Sequence, residues 1–264
     1  PVFDNSNPNF INIGNPNLLP TFSHGINLNF NSWKSVSGKY TWAGLTYNYT
    51  NNDIATATSY DSIGRTVSQA INVNGNYNIN GYIGTSMPFF SKKLEVGPNL
   101  WASYAENKSI INSQENKTHD IRSNLSLEFR MNLEKVEAAL SGYYSYNSAY
   151  SSLNVTSSTP YSTQGISGRV SIKFPKNFLL ESNADYTING RRSNGYNINY
   201  LVWNASFSKT FFKKENFILG FYAYDMLNQN ISVDRDISSN VITDIKTNII
   251  SRYFLLKATF KFIS

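Results

Sequence analysis

At 264 residues, with 15% aromatic side chains and a negative mean hydropathy, the chain is long enough for one large all-β domain, and its bulky apolar groups must be interleaved with polar ones. It has no cysteine, which excludes a disulfide framework and a thiolate metal site, and no apolar run of about 18 residues, which excludes a transmembrane helix but not a membrane-crossing strand. A net charge of +6 raises nucleic acid as a partner, yet the lysines collect in short turns, as at Lys92 and Lys93, Lys173 and Lys176, and Lys213 and Lys214; with no basic stripe, nucleic-acid binding is set aside.

In chain order, residues 1–21 are rich in Asn and Pro and read as a loop entering a first strand near 22–33. Further strands are expected near 39–51, 65–89, 94–107, 119–131, 135–149, 162–174, 178–189, 195–212, 216–225 and 249–262. Parity separates their faces. Ile71, Val73, Gly75, Tyr77, Ile79, Gly81 and Ile83 alternate with Asn72, Asn74, Asn76, Asn78 and Asn80, so a row of amides opposes a row of mostly apolar groups. Phe178, Leu180, Ala184 and Tyr186 likewise oppose Glu181, Asn183 and Asp185, and Phe254, Leu256, Ala258 and Phe260 oppose Lys257 and Thr259. Each strand thus has one face suited to a low-dielectric medium.

The connectors alternate in kind. Short ones are expected at 34–38, 90–93, 131–135, 174–177 and 212–216, and long polar ones at 51–65, 106–120, 149–162, 189–195 and 225–248. Short periplasmic turns opposite long extracellular loops are the asymmetry of outer-membrane barrels. The expected fold is therefore all-β, a transmembrane antiparallel β-barrel in the bacterial outer membrane, with about eleven strands in this sequence. An odd number with a descending last strand sends the first strand down as well and leaves residues 1–21 extracellular. Single-chain bacterial barrels normally have even numbers, so the sequence is expected to be part of a larger barrel, with strands upstream of Pro1.

The stretch Gly14-Asn15-Pro16-Asn17-Leu18-Leu19-Pro20, followed by Phe22-Ser23-His24, resembles the GNPNLKPE-like segment of TonB-dependent transporters. Tyr224-Asp225-Met226-Leu227-Asn228-Gln229 is similar to the YDLLNQ-type motif near the end of the same barrels, and a long loop and one last strand ending in Phe260-Lys261-Phe262 follow it. Ile263 and Ser264 depart from the pattern of ending on the aromatic residue. The Asn- and Tyr-rich style resembles the Bacteroidota branch of outer-membrane barrel proteins. The resemblance spans essentially the whole chain, as the C-terminal part of the barrel. It implies a barrel of about 22 strands around an N-terminal plug, so that residues 1–264 form the C-terminal half and hold no plug domain. It also implies as partners the N-terminal barrel half and plug, in the same or a cleaved chain, the TonB complex acting through the region this sequence lacks, and a surface lipoprotein; the membrane itself adds outer-membrane lipid, including lipopolysaccharide.

The histidines are His24 and His119, and neither stands in a spacing that makes a nucleophile–base pair or a metal site, so no catalytic residue, metal or cofactor is expected. The charges on the polar parity are Glu128, Arg130, Glu137, Arg169, Lys173, Glu181 and Asp185. Their ordinary role is to be solvated or paired with a plug; a sharper reading makes Asp185, Arg169 and Glu181, with the loop residues Arg191 and Arg192, a substrate route. Tyr47, Tyr49, Tyr104, Tyr144, Tyr146 and Trp203 fit interfacial girdles, with sugar binding as the alternative use. Asn-x-Ser/Thr triplets such as Asn116-Lys117-Thr118 are expected by chance in so Asn-rich a chain.

The leading expectation is a non-enzymatic wall of an importer for a nutrient too large or too scarce for porins. The alternative is an outer-membrane barrel with a structural or secretory role and no transport cycle. A soluble β-sandwich adhesin, with the apolar faces turned inward, is the third.

Overall fold

A computed structural model describes residues 9–153, 160–212, 215–238 and 241–262; the parts of the expected loops at 1–8, 154–159 and 239–240, the lysine pair 213–214 and the last residues 263–264 lie outside them. Sixteen strands are formed: β1 (Phe10–Ile13), β2 (Phe22–Lys34), β3 (Lys39–Asn51), β4 (Asp53–Tyr60), β5 (Thr66–Val73), β6 (Asn76–Phe89), β7 (Leu94–Ile111), β8 (Gln114–Asn132), β9 (Val136–Ser151), β10 (Tyr161–Phe174), β11 (Phe178–Gly190), β12 (Tyr200–Phe211), β13 (Phe217–Tyr224), β14 (Ile231–Ser238), β15 (Val241–Asn248) and β16 (Tyr253–Phe260). Eleven of them, β2, β3, β6 to β13 and β16, pair antiparallel in an unbroken wall and match the expected strands.

Register settles the two faces, because directly paired residues share a side. Phe30, Ala43, Ile83, Leu100, Leu125 and Tyr144 stand in one cross-strand row, and Leu180, Phe207, Phe221 and Leu256 in another. Glu95, Arg130, Ala139, Arg169, Asn183 and Asn204 form a row on the opposite face. The apolar face is open: Leu125 is 55% exposed, Leu140 54% and Leu256 71%, whereas the buried hydrophobics among the described residues are only Ala149 and Ala223. No second sheet packs on that face among the described residues, which overturns the sandwich alternative, since a sandwich would bury it. On the polar face, Tyr82 lies over Gly44 and Tyr143 over Gly165, and a Cβ at either glycine would run into the ring. The missing side chain is what lets a large ring lie flat on the sheet there.

Two expected loops are folded. The 51–65 stretch is not a loop but the strand β4 and a tight turn, and the expected strand 65–89 breaks into β5 and β6 at Asn74 and Gly75. The β4–β5 hairpin is turned over relative to the wall below it: β3 and β6 pair with β6 next to β7, yet above the break β4 lies parallel beside β7 and β5 takes β1 on its outer edge. Asn52 at φ 49° and Gly75 at φ 88° make the crossover, the glycine reaching it without the penalty of a Cβ. Side-chain amides replace the ladder bonds lost there. Asn72 Nδ2 donates to the carbonyls of Asn52 at 2.7 Å and Leu19 at 3.0 Å, while its Oδ1 accepts Leu19 N–H at 2.7 Å. Asn52 N–H donates to Asn74 Oδ1 at 2.7 Å, and Asn15 Nδ2 to the Ala70 carbonyl at 2.9 Å. The second folded loop is 225–248, where β14 and β15 form a separate two-stranded sheet.

The expected 106–120 loop also shrinks to the turn Asn112–Ser113, both residues at positive φ as a tight hairpin turn requires, with β7 and β8 continuing up to it. Asn116 beside it is fully buried, its Oδ1 taking the Ser151 hydroxyl and its Nδ2 reaching Ser109 and Thr118, so the triplet it begins is structural. All six expected girdle aromatics fall on the apolar face by register. Near its hairpin end, Tyr47, Tyr77, Tyr104, His119 and Tyr150 follow one another across five strands with centroid spacings of 6.4, 5.8, 6.1 and 4.4 Å. His119 therefore belongs to the β8 ladder, not to a loop junction.

The amides of the 72–80 row are thus unequal. Replacing Asn72 by Ala removes three hydrogen bonds at the crossover and is expected to destabilise by about 1.5–4.5 kcal/mol, at roughly 0.5–1.5 kcal/mol each. Asn80→Ala, which loses a single bond to Asn78, is expected to cost less than half as much. Thermal unfolding of the two variants gives the order, and equal midpoints would refute the role of Asn72.

Candidate functional site

On the polar face a cavity of about 590 Å³ opens between β8, β9, β10 and β11, lined by Glu128, Arg130, Glu137, Arg169, Glu181 and Asp185 among others. Alternation brings these side chains to one side of four neighbouring strands, and register brings them within reach of one another. Arg130 joins Glu95 at 3.3 Å and Glu128 at 3.0 Å; Arg169 takes the other oxygen of Glu128 at 3.2 Å; Lys173 pairs with Glu137 at 3.0 Å. Glu181 and Asp185 have neutral partners instead: Ser206 Oγ donates to Glu181 at 3.3 Å and Asn183 Nδ2 to Asp185 at 3.0 Å. The Nε of Arg130 is buried without an acceptor among the described residues. The surface is thus a cross-strand charge network beside two carboxylates that no cation meets among the described residues. It can bind polar solutes or a folded polar insert, and it offers no nucleophile–base pair.

Of the five residues expected along a substrate route, Arg169, Glu181 and Asp185 line this cavity. Arg191 and Arg192 do not. They lie at the hairpin end, in the connector after β11, where a second cluster forms that sequence reading missed. Its centre is Arg235 of β14 and Asp244 of β15, cross-strand partners in register. The guanidinium donates Nε to Oδ1 and Nη2 to Oδ2, both at 2.6 Å, and the side chains are 2% and 4% exposed. Arg235 also donates to the Arg191 carbonyl at 3.3 Å and to Ser193 Oγ at 3.4 Å, and Ser193 N–H donates to Asp244 Oδ2 at 3.1 Å. Arg192 and Arg235 lie 5.0 and 5.3 Å from the ring centre of Tyr161 at the start of β10. The signal in the sequence was the alternation of Ile231, Val233 and Ile237 with Ser232, Asp234 and Asp236, which marks a strand inside a stretch otherwise polar enough to pass for loop.

Both family-like motifs organise backbone here. Asp225, 3% exposed, accepts the N–H groups of Gln229 at 2.9 Å and Asn230 at 3.1 Å and closes the turn after β13. Gln229 Oε1 in turn accepts Leu201 N–H at 3.1 Å. In the other motif, Asn15 Oδ1 accepts Asn17 N–H at 3.0 Å while Leu19 is held by Asn72.

The β14–β15 hairpin is docked on the 191–195 connector through hydrogen bonds from both members of its own Arg235–Asp244 pair to Arg191 and Ser193, so removing the anion leaves a buried cation beside the connector, a change worth about 3–5 kcal/mol. Asp244→Asn is expected to free the hairpin and raise trypsin cleavage at Arg235 and Lys246 by about tenfold or more, with the wall intact. The hydrogen bonds from Arg235, ahead of those from Ser193, hold the Asp244 carboxyl well below the ordinary carboxylate range against the opposing effect of desolvation. A lowered value adds stability that is fully present above the unfolded value and lost only as pH falls through the folded one. Hydrogen-exchange protection of 231–248 is therefore expected to be unchanged from about pH 7 to about pH 5, and loss in that interval would contradict the assignment.

No curated protein matches the sequence. The model of the outer membrane protein beta-barrel family matches residues 1–262, which is nearly the whole chain. An antiparallel wall with one apolar face open to its surroundings and one charged polar face is the structure such a match requires. The chain belongs to the outer membrane protein beta-barrel family and resides in the bacterial outer membrane.

Proposed function

We propose that this barrel wall belongs to a TonB-dependent transporter-like importer of a nutrient. The supporting observation is the position of the two resembling motifs: Gly14–Pro20 leads into the first wall strand, and Tyr224–Gln229 closes the turn before the last. The charged cavity between β8 and β11 is then the part of the lumen that faces a plug or a passing solute. Outer-membrane lipid, including lipopolysaccharide, covers the apolar face; the TonB complex, a plug and a surface lipoprotein are partners in this reading. The outer edges of β2 and β16 are unpaired among the described residues, and in hydrocarbon such edges must pair, either with each other or with further strands as a half-barrel would. One observation favours the structural or secretory alternative: most of the polar-face charges already neutralise one another within and between strands and need no cargo.

A strain lacking the gene separates these readings. Import predicts the loss of growth on one nutrient, with uptake of that nutrient by wild-type cells abolished by a protonophore. Unimpaired growth across nutrients together with loss of other surface proteins would overturn import and support the alternative.

Orientation follows from the same reading. The chain has no cysteine, so a single introduced thiol reports its own position. Ser113→Cys and Asn194→Cys are expected to react with an impermeant maleimide on intact cells, and Lys92→Cys and Lys176→Cys only after the envelope is opened; the reverse pattern rejects the topology. In β11, Leu180→Arg is expected to cost about 2–4 kcal/mol if it lies near the bilayer midplane, and Asn183→Arg less. Equal costs at the two parities would reject the assignment of lipid and lumen faces.

A further inference from the structure

In the hairpin-end cluster, two guanidinium groups share one tyrosine ring, and only Arg235 meets a carboxylate among the described residues. Arg235 is fully engaged by Asp244, the Arg191 carbonyl and Ser193. Arg192 is not: its Nη2 donates to Thr163 Oγ1 at 3.3 Å, its backbone N–H to Asn197 Oδ1 at 2.7 Å, and its Nε and Nη1 are buried without an acceptor among the described residues. The face of Tyr161 offsets part of that charge but accepts no conventional hydrogen bond. Buried N–H groups are nearly always bonded, so the two buried donors of half-buried Arg192 define a place for an acceptor that the described residues do not provide. The charge of Arg192 itself, which meets no carboxylate among the described residues, makes that acceptor an anion.

The place belongs to the lumen side. Tyr161 pairs with Asn147, and Asn147 with Arg122, in a row on the polar face, and Thr163 pairs with Ser145 in the next. Lipid reaches the other face.

We propose that Arg192, Thr163 and Tyr161 form a site for the carboxylate or phosphate group of a soluble ligand at the hairpin end of the lumen. The planar guanidinium matches the oxygens of either group, and Thr163, which accepts from Arg192 Nη2 while its hydroxyl donates to Asn189 Oδ1, holds that plane in place. Combined with the import proposed above, on which only this step rests, the site gives the cargo its class: a solute carrying a carboxylate or a phosphate.

The test uses the whole chain, extracted from the outer membrane in detergent and titrated calorimetrically at low ionic strength with inorganic phosphate and with acetate, chloride serving as control. Saturable binding of at least one of the two anions at one site is expected. Arg192→Gln should weaken it about tenfold or more, and Arg192→Lys, which keeps the charge and loses the planar fork, by a smaller factor. Arg191→Gln should leave it unchanged, because that side chain is exposed and only its carbonyl takes part. Heat-modifiable mobility checks folding, and if Arg192→Gln fails that check, Tyr161→Leu removes the ring and should weaken binding in the same direction. Absence of saturable binding, as for a site that holds only water, overturns the proposal, and so does unchanged affinity in Arg192→Gln. Binding of lipopolysaccharide micelles without binding of either free anion overturns it as well, by assigning the charge to lipid. Binding that holds in a protein whose deletion affects no uptake supports the site and removes the import reading.

Discussion

The structure depends on backbone pairing between neighbouring strands, since so little else holds it together. Among the described residues the buried hydrophobics are Ala149 and Ala223, and the large apolar side chains lie on an open face. The ladders from β2 to β16 therefore do the work that a core does in a soluble domain. In a bilayer this is the favourable arrangement, because hydrocarbon solvates the apolar face while unpaired N–H and C=O groups have no water to turn to. It also makes register the quantity that decides function: a slip of one residue would put Glu128, Arg130 and Arg169 into lipid and Leu125, Phe129 and Leu140 into the lumen.

Where the ladder is interrupted, side-chain amides and carboxylates take the place of the backbone. Asn52, Asn72 and Asn74 carry the bonds of the crossover between the wall and the β4–β5 hairpin. Asn116 ties the β7–β8 turn to the end of β9, and Asp225 closes the chain after β13. All of these lie at the hairpin end. The residues that make the sequence resemble a transporter, Gly14 to Pro20 and Tyr224 to Gln229, are among these substitutes and hold the shape of the loop end.

Two charge clusters follow from this division. The one between β8 and β11 is built across the ladder from exposed or half-exposed groups, and pairs of that kind contribute little to stability each. The other is built between a connector and a hairpin: its Arg235–Asp244 pair is buried, and two donors of its Arg192 meet no acceptor among the described residues. The first suits a lumen wall that must tolerate whatever lies against it. The second sets a buried ion pair beside the donors on which the proposed anion site rests.

Strict alternation, as in Leu180, Ala184 and Tyr186 against Glu181, Asn183 and Asp185, was enough to determine the strands, their two faces and the all-β class, because a period of two is fixed by the geometry of the extended chain. It placed Arg169, Glu181 and Asp185 on one surface for the same reason. It did not separate Asn72 from Asn80, although one holds a crossover and the other a neighbour in its own row, because parity is blind to a break in the strand at Gly75. Nor did it find the β14–β15 hairpin or bring Arg192 to Tyr161 and Arg235. Those contacts join residues 31 to 74 positions apart, through a hairpin that folds back onto a connector, and local pattern carries no information about which polar segments meet. Sequence by itself determined the wall and its two solvents; only the tertiary structure decided where the wall is crossed, which loops are strands and which arginine meets a carboxylate among the described residues, since these depend on distances between segments rather than on the period within one.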